Sequence, residues 1–288
     1  MAVTLIWGST FPLVKSLVAY FDPMVLIATR FTVAAILMAL GMLGRLRRLD
    51  RHTLIAGAVL GGFLFSGYVL QTVGLKYTTA SKAGFITGLS VVMVPFLSKL
   101  ILNRPPRRAA LIGAALAALG LGSMTMEPGS SLVPQVGDML VLLCALGFAL
   151  HIVFVGRYAP VMDVPLLVLV QVATTAVIGI AYTAVTGQLG PVFRASELGI
   201  RSWLSILYLG AFATAGAFFV QNAAQRVTSP TRVAIILATE PIFSAIFAWL
   251  WLGESLGRKG VIGALLILVG MLIAELEVGF KKGTVEGL

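Results

Sequence analysis

Charged residues are scarce in this chain of 288 residues, where Asp, Glu, Lys and Arg make up 11% and hydrophobic residues 59%. An ordinary soluble domain is about 25% charged and roughly half apolar. The mean hydropathy of +1.01 is too high for a surface that faces water. The low charge therefore excludes a soluble globular protein and indicates an integral membrane protein.

Cysteine, histidine and catalytic motifs are also scarce. The single cysteine, Cys144, lies in an apolar run and excludes an intrachain disulfide. The sequence has no Cys/His cluster for a metal, no Walker loop, and neither an H-E-x-x-H nor a G-x-S-x-G motif. We therefore expect no metal, no cofactor, no ATP-driven pump and no enzyme.

Apolar runs of about 20 residues, the length that spans a hydrocarbon core ~30 Å thick, recur along the whole chain. The first begins at Ala2 without a basic leader, so we expect a retained helix and not a cleaved signal. Most of the loops between the runs are too short for a soluble domain. The ten predicted spans cover residues 2–20, 24–44, 53–73, 81–102, 109–126, 137–156, 164–186, 203–222, 231–252 and 260–277.

The net charge of +10 collects in short loops, which favours membrane topology over a nucleic-acid partner. With ten spans, both termini lie on the same side. That side carries twelve basic residues, Arg45, Arg47, Arg48, Arg51, Arg104, Arg107, Arg108, Arg157, Arg226, Arg232, Lys281 and Lys282. The other side carries six, Lys76, Lys82, Arg194, Arg201, Arg258 and Lys259. The bias predicts cytoplasmic termini.

An internal repeat appears when the sequence is shifted by 150 residues, which aligns helices three to five with helices eight to ten. A shift of 141 residues pairs the remaining helices more weakly, with Asp22 on Asp163 and Arg30 on Gln171. The matches at 150 include Gln71 with Gln221, Thr78 with Thr228, Leu100 with Leu250, Arg108 with Arg258, Ile112-Gly113-Ala114 with Ile262-Gly263-Ala264, and Gly120 with Gly270.

The repeat divides the chain into residues 1–126, a linker loop at 127–136, and residues 137–288 with a short tail. Because five is odd, two consecutive five-helix units must cross the bilayer in opposite senses. Inverted repeats of this kind are typical of secondary transporters, which alternate access to a site near the midplane. The predicted fold is an all-α integral membrane protein with ten transmembrane helices in two inverted five-helix repeats.

Short motifs are spread over nearly the whole chain. They are Trp7-Gly8-Ser9-Thr10-Phe11 with Lys15, Arg30, Tyr77-Thr78-Thr79-Ala80, Ser229-Pro230-Thr231-Arg232, Glu240-Pro241-Ile242-Phe243 and Leu252-Gly253-Glu254. Together they resemble the EamA family of the drug/metabolite transporter superfamily. The resemblance implies ten helices, cytoplasmic termini in a prokaryotic membrane, a central cavity between the halves, and export of amino acids or related metabolites.

The two halves depart from one another at two motifs. Leu102-Asn103-Arg104 stands where the second half has Leu252-Gly253-Glu254, and Ser90-Val91 stands where it has Glu240-Pro241. Any role of these residues is therefore expected to belong to one half only.

One face of the third helix carries Leu64, Tyr68 and Gln71, which are spaced four and three apart. An aromatic ring and an amide on opposite walls of a cavity suit a zwitterionic or aromatic solute. The alternative is hydrogen bonding that only joins neighbouring helices. The repeat pairs these three residues, in the same order, with Thr214, Phe218 and Gln221.

Other candidates are polar or aromatic residues within the spans. For His151, which is close to Phe148, there are three alternatives. It is expected to line the cavity, to relay protons, or to pack as a neutral group. Glu240, before Pro241, is a cation or proton site, or a carboxylate tied to backbone amides that the proline frees. Trp7 faces the cavity or belongs to an interfacial belt.

Three cations lie near the ends of spans, Lys15, Arg30 and Lys99. Each is expected to extend its charge toward the membrane surface. Lys15 is the best exception, because it follows Pro12 on the helix of the Trp7 motif and could attract a solute carboxylate.

The sequence predicts a secondary transporter or facilitator that exports small organic metabolites, with amino acids as the expected substrate. The alternatives are an integral membrane enzyme or lipid-handling protein, and a structural or sensory subunit. The lipid bilayer is the expected partner, and no oligomeric state is predicted. The predicted substrate-binding residues are Trp7, Lys15, Leu64, Tyr68, Gln71, Ser90, Phe148, His151, Thr214, Phe218, Gln221 and Glu240.

Overall fold

The described residues of a computed structural model, 1–103, 108–125, 135–188, 199–228 and 230–276, are all helix or loop, with no strand among them. This confirms the predicted all-α class. Most of the predicted linker at 127–136 and of the tail after residue 276 lie outside the described residues.

Thirteen α-helices account for most of the described residues. Short helices of other types lie between some of them, including a π-helix at Ala211–Gly216. The α-helices are α1 (Ala2–Leu17), α2 (Pro23–Gly41), α3 (Arg51–Gly74), α4 (Ala80–Gly88), α5 (Ser90–Leu102), α6 (Arg108–Thr125), α7 (Val136–Tyr158), α8 (Val164–Val185), α9 (Ile200–Gly210), α10 (Ala217–Val227), α11 (Pro230–Leu237), α12 (Glu240–Leu252) and α13 (Arg258–Leu276).

Six helical segments in the described part of the chain are long and apolar enough to cross a membrane by length and composition. Two shorter apolar helices, Leu111–Ser123 and Glu240–Leu252, add to them. The ten predicted spans are not all long and continuous, since α1 has only 16 residues and the ninth predicted span is divided between α11 and α12. The six segments are Pro23–Gly41, Arg51–Gly74, Ala80–Leu102, Val136–Val161, Val164–Val185 and Ile200–Val227.

Two helices begin with the same aspartate cap, at positions 141 residues apart. Asp22 accepts a hydrogen bond at 2.8 Å from the backbone N–H of Met24 at the start of α2. Asp163 accepts one at 3.3 Å from the N–H of Leu166 at the start of α8. A proline follows each aspartate within the first turn, where its missing N–H costs nothing. The aspartate and the proline that follows it therefore mark the start of each of these two helices.

Two apolar runs are broken at positions 150 residues apart. The first break, at Leu89, separates α4 from α5, and the second, at 238–239, separates α11 from α12. The helices after the breaks end alike, because Asn103 and Gly253 both adopt left-handed backbone angles, with φ of 55° and 64°. Such a residue commonly ends a helix.

Helices α6 and α13 pack through closely apposed glycines. A Cβ atom at Gly120 would lie 2.6 Å from the carbonyl oxygen of Gly263. A Cβ atom at Gly270 would lie 2.6 Å from the carbonyl oxygen of Gly113. The 150-residue shift turns the first contact into the second, because it moves Gly120 onto Gly270 and Gly113 onto Gly263. Glycine has no side chain and so permits this close approach of backbones.

Candidate functional site

A cavity of about 50 Å³ lies among helices from both parts of the chain. Nine of the twelve predicted binding residues line it, namely Trp7, Tyr68, Gln71, Ser90, Phe148, His151, Phe218, Gln221 and Glu240. The other lining residues are Thr10, Phe11, Thr87, Gly88, Val91, Ile152 and Leu237.

Four aromatic side chains form a connected apolar wall. The ring of Trp7 lies 5.3 Å from that of Phe218, and the ring of Tyr68 lies 5.3 Å from that of Phe148, measured between centroids. Tyr68 and Phe218, which the repeat pairs, are 6.2 Å apart. Tyr68 meets Phe148 and Phe218 edge to face, while Trp7 is tilted against Phe218, and aromatic pairs at these distances attract one another.

The π-helix at Ala211–Gly216 directs a backbone carbonyl toward two side chains. The carbonyl oxygen of Ala213 accepts hydrogen bonds from the indole Nε1 of Trp7 at 2.9 Å and from the guanidinium of Arg30 at 3.2 Å. A π-helical turn interrupts the regular hydrogen-bond pattern of an α-helix, and such turns are frequent at functional sites. Trp7 is thereby fixed to the eighth predicted span by its N–H group.

Arg30 is buried behind the aromatic wall, and the prediction that it extends to the membrane surface is wrong. Its side chain is 3% exposed. It donates to the hydroxyl of Thr214 at 2.7 Å and to that of Tyr68 at 3.3 Å. Its guanidinium carbon also lies 4.7 Å from the centre of the Tyr68 ring. Arg30 therefore supports Tyr68 from outside the cavity.

A chain of amides fixes the orientation of Gln221. Gln225 donates from Nε2 to the carbonyl oxygen of Ile152 at 2.9 Å, so its Oε1 faces the other way. That oxygen accepts from Nε2 of Gln221 at 3.1 Å. Oε1 of Gln221 is buried and has no hydrogen-bond partner among the described residues. Gln221 thus lines the cavity with its Oε1 left unpaired.

A second chain fixes His151. Asn222 donates from Nδ2 to the carbonyl oxygen of Phe218 at 2.8 Å, and its Oδ1 accepts from Nε2 of Gln171 at 3.2 Å. Oε1 of Gln171 then lies 2.6 Å from Nε2 of His151. An amide oxygen only accepts, so a neutral His151 donates from Nε2 and keeps a lone pair on Nδ1.

The remaining polar groups of the lining are Gln71, Thr87, Ser90 and Glu240. Gln71 donates from Nε2 to the Thr87 hydroxyl at 3.2 Å, and the same hydroxyl lies 4.0 Å from the thiol of Cys144. The half-buried carboxylate of Glu240 has no hydrogen-bond or ion-pair partner among the described residues. The alternative that backbone amides hold Glu240 is therefore not seen in this part of the chain.

Three predicted binding residues lie elsewhere. Lys15 donates to the carbonyl oxygens of Leu75, at 3.2 Å, and of Thr78 at the end of α3. Leu64 is buried within the apolar core. Thr214 accepts from Arg30 and donates to a carbonyl of its own helix.

Several lining residues were not among the predictions. Gly88 and Leu237 lie beside the two helix breaks, and Thr87 precedes the first break. The signal that could have found them is the repeat itself, since Ser90 and Glu240 occupy equivalent positions just after the breaks.

The cavity lining has groups that can contact a solute. Among the described residues, no three His, Cys, Asp or Glu side chains come together in a way that could hold a metal ion. The lining offers aromatic faces, amide and hydroxyl groups, one imidazole and one carboxylate. Such a set can orient a small organic solute and exclude water from it.

Apolar helices around an internal cavity are the architecture expected of a helical membrane transporter. The chain belongs to the EamA-like transporter family, whose profile matches residues 1–126 and 135–275. It is therefore a multi-pass membrane protein of a transporter family with bacterial and archaeal members.

Curated relatives cover almost the whole chain. An uncharacterized transporter of Archaeoglobus fulgidus is 32% identical over 278 residues, which cover 96% of this chain and 84% of the relative. The uncharacterized transporter YvbV of Bacillus subtilis is 23% identical over 290 residues, 99% of this chain and 93% of the relative. A crystal structure with 19% identity superposes with a TM-score of 0.70, covering 96% of this chain and 94% of that one, and supports the fold alone.

Proposed function

We propose that the protein is a secondary transporter or facilitator that exports small organic metabolites, amino acids first among them, by alternating access. The observation that carries the proposal is the cavity, which takes lining residues from α1, α3, α4 and α5 and from α7, α10, α11 and α12. A site between two groups of helices can open to either side as the groups move relative to one another.

Two structurally related halves would supply this motion. We propose that residues 1–126 and 137–288 form the halves, joined by the linker at 127–136. The paired helix breaks and left-handed helix ends support this division, as do the reciprocal glycine contacts between α6 and α13. The two consecutive segments matched by the family profile also support it.

The proposed topology has ten spans, opposite orientations of the two halves and cytoplasmic termini in a prokaryotic cytoplasmic membrane. The excess of basic residues on the side of the termini supports it. The relatives from a bacterium and an archaeon support a prokaryotic setting.

The amides on opposite sides of the cavity provide the test. We expect the purified protein in liposomes to catalyse counterflow of radiolabelled amino acids, measured with a panel of all common ones. Gln71→Ala and Gln221→Ala should each weaken it, because each removes a polar group that faces the solute. We expect a loss of about fivefold or more, corresponding to a net hydrogen bond of ~1 kcal/mol.

Gln135→Ala is the matched control. It also removes one glutamine side chain, but Gln135 is exposed at the start of α7 and makes no capping hydrogen bond. Flux that is unchanged in both cavity variants while they remain folded would reject the site. Absence of counterflow for every amino acid in the wild-type protein would reject amino acids as the substrate.

A further inference from the structure

We infer that the cavity selects its substrate through a protonated amine, and that the carboxylate of an amino acid is dispensable for binding. This inference rests on the proposed function, since it names the chemistry that the same site recognises. The class of substrate is then small organic amines with an apolar or aromatic body, amino acids being one member.

The charge of the lining is the first step of the argument. Glu240 carries the only carboxylate in the described lining, and no Lys or Arg belongs to it. The two nearby cations have other partners, because Lys15 binds backbone carbonyls and Arg30 binds Thr214, Tyr68 and Ala213. A solute carboxylate therefore meets no cation in this lining, whereas an ammonium group meets an anion.

The orientation of the neutral groups is the second step. The two amide chains end at Ile152 and Phe218 carbonyls, and backbone carbonyls only accept, so neither chain can be reversed. They leave Oε1 of Gln221 and Nδ1 of His151 as acceptors. Gln71 donates one of its two Nε2 hydrogens to Thr87, and its Oε1 has no partner among the described residues. An ammonium group has three donors and no acceptor, which suits this arrangement.

The aromatic wall is the third step. The indole N–H of Trp7 is bound to the Ala213 carbonyl outside the cavity, so Trp7 cannot also donate to a solute. The rings of Trp7, Phe148 and Phe218 are then available through their faces and edges. Cations within about 6 Å of an aromatic face are attracted to it, and tryptophan is the strongest partner.

The unpaired carboxylate is the fourth step. A charge within a membrane is costly unless it is paired or meets water. Glu240 has no partner among the described residues, and an amine that binds beside it supplies the missing counter-charge. Residues with a hydroxyl group, Ser90 among them, also line the cavity, but a hydroxyl carries no charge to pair with a carboxylate.

Three probes with the same aromatic ring test the inference, and they differ only in their polar groups. They are phenylalanine, 2-phenylethylamine and 3-phenylpropionate. Binding to the purified protein in detergent is measured by calorimetry, which needs no flux. We expect phenylethylamine to bind within about tenfold of phenylalanine and phenylpropionate to bind roughly thirtyfold more weakly or worse, as for an unpaired charge brought beside an anion.

Glu240→Gln is the variant for the charge, because it keeps the shape of the side chain. It should weaken the binding of phenylethylamine by roughly thirtyfold or more, which is the usual effect of removing one partner of a buried charge pair. Asp50→Asn is the matched control, since it removes one carboxylate far from the cavity and asparagine caps a helix equally well. A second variant, Gln221→Leu, removes the unpaired oxygen and should also weaken the binding of the amine.

The outcomes separate this inference from the proposed function. Binding of phenylpropionate as tight as that of phenylethylamine would overturn the inference, as would unchanged amine binding in folded Glu240→Gln. Binding and counterflow of phenylalanine with rejection of phenylethylamine would overturn the inference and leave amino-acid transport standing. Amine binding and counterflow without any amino-acid flux would support the inference and remove amino acids from the proposed function.

Discussion

Arg30 places a full positive charge inside the helical bundle with neutral partners. No carboxylate of the described residues bonds to it, and its hydrogen bonds go to two hydroxyls and one backbone carbonyl. A buried charge is tolerated only when its donors are satisfied. The hydroxyl of Thr214 and the carbonyl of Ala213, both in the π-helix, therefore contribute to stability as well as to the shape of the site.

Thr214→Val should lower the stability of the protein. Valine has nearly the same shape, so the change mainly removes the oxygen that accepts from Nε of Arg30. We expect a loss of about 1.5–3 kcal/mol, the usual contribution of a hydrogen bond to a charged group. Equilibrium unfolding in detergent measures it.

Thr186→Val is the control for this prediction. Thr186 is exposed, and its hydroxyl bonds only to the Tyr182 carbonyl of its own helix. A loss of stability for Thr214→Val no larger than that for Thr186→Val would show that Arg30 does not depend on this hydroxyl.

The repeat made several individual residues predictable. Tyr68 and Gln71 were paired with Phe218 and Gln221 by the 150-residue shift alone, and all four line one cavity. Lys15 was placed with them because of its charge, yet it binds carbonyls at the end of α3. A sequence pattern predicts which residues share one face of a helix. It does not predict which loop the fold places next to that face.

At the scale of helices, the two breaks could not be read from the hydropathy. The runs at 81–102 and 231–252 are continuously apolar, so each predicted one span. Pro95 lies inside α5 and not at the break at Leu89, while Pro241 lies in the first turn after the second break. At each break the backbone makes the hydrogen bond of a tighter turn, from the N–H of Leu89 to the carbonyl of Ile86 and from the N–H of Thr239 to the carbonyl of Ile236.

Gly120→Ala should disturb the packing of α6 on α13. The added methyl group would lie 2.6 Å from the Gly263 carbonyl oxygen and 2.8 Å from a side-chain carbon of Ile267. Backbone cannot move aside as a flexible side chain does, so the helices must separate. We expect a loss of about 1–3 kcal/mol, as for overpacked cores, measured by thermal unfolding in detergent.

Gly122→Ala is the control on the same helix, where a Cβ atom would meet nothing within 4 Å. It should leave stability unchanged or raise it slightly, since alanine favours helices. The repeat adds a further comparison, because Gly270→Ala should act like Gly120→Ala. Stability of Gly120→Ala equal to that of Gly122→Ala would contradict close packing at this contact.

At the scale of the whole molecule, polar contacts gather at one end of the bundle, around the segment Leu75–Ser81. Lys15 binds carbonyls of this segment, and the Thr78 hydroxyl bonds to Asp138 of α7. Glu254, after α12, accepts from the N–H groups of Ala80 and Ser81, both at 3.1 Å. At the repeat-equivalent position, Thr228 bonds to Ala224 and to no other part of the described chain. At the end that holds Glu254, the bonds of Thr78 to Asp138 and of Ala80 and Ser81 to Glu254 therefore join the two parts of the chain.

Glu254→Ala should open this end of the cavity. The change removes the anion at the start of α4, which accepts from two backbone N–H groups and the Ser81 hydroxyl. Loss of hydrogen bonds to a charged group, worth about 1.5–3 kcal/mol, should raise the open population roughly tenfold or more. The reporter is Ser90→Cys in a Cys144→Ala background, which puts the only thiol in the cavity lining.

The rate of labelling of this thiol by a membrane-impermeant reagent, added from the Glu254 side of oriented vesicles, gives the measurement. Ser255→Ala is the control, since Ser255 is exposed in the same loop. Labelling from the Glu254 side should rise in Glu254→Ala and stay constant in Ser255→Ala, while labelling from the opposite side should fall, because one cavity cannot favour both openings at once. Equal rates in Glu254→Ala and its parent would mean that Glu254 does not hold this end closed.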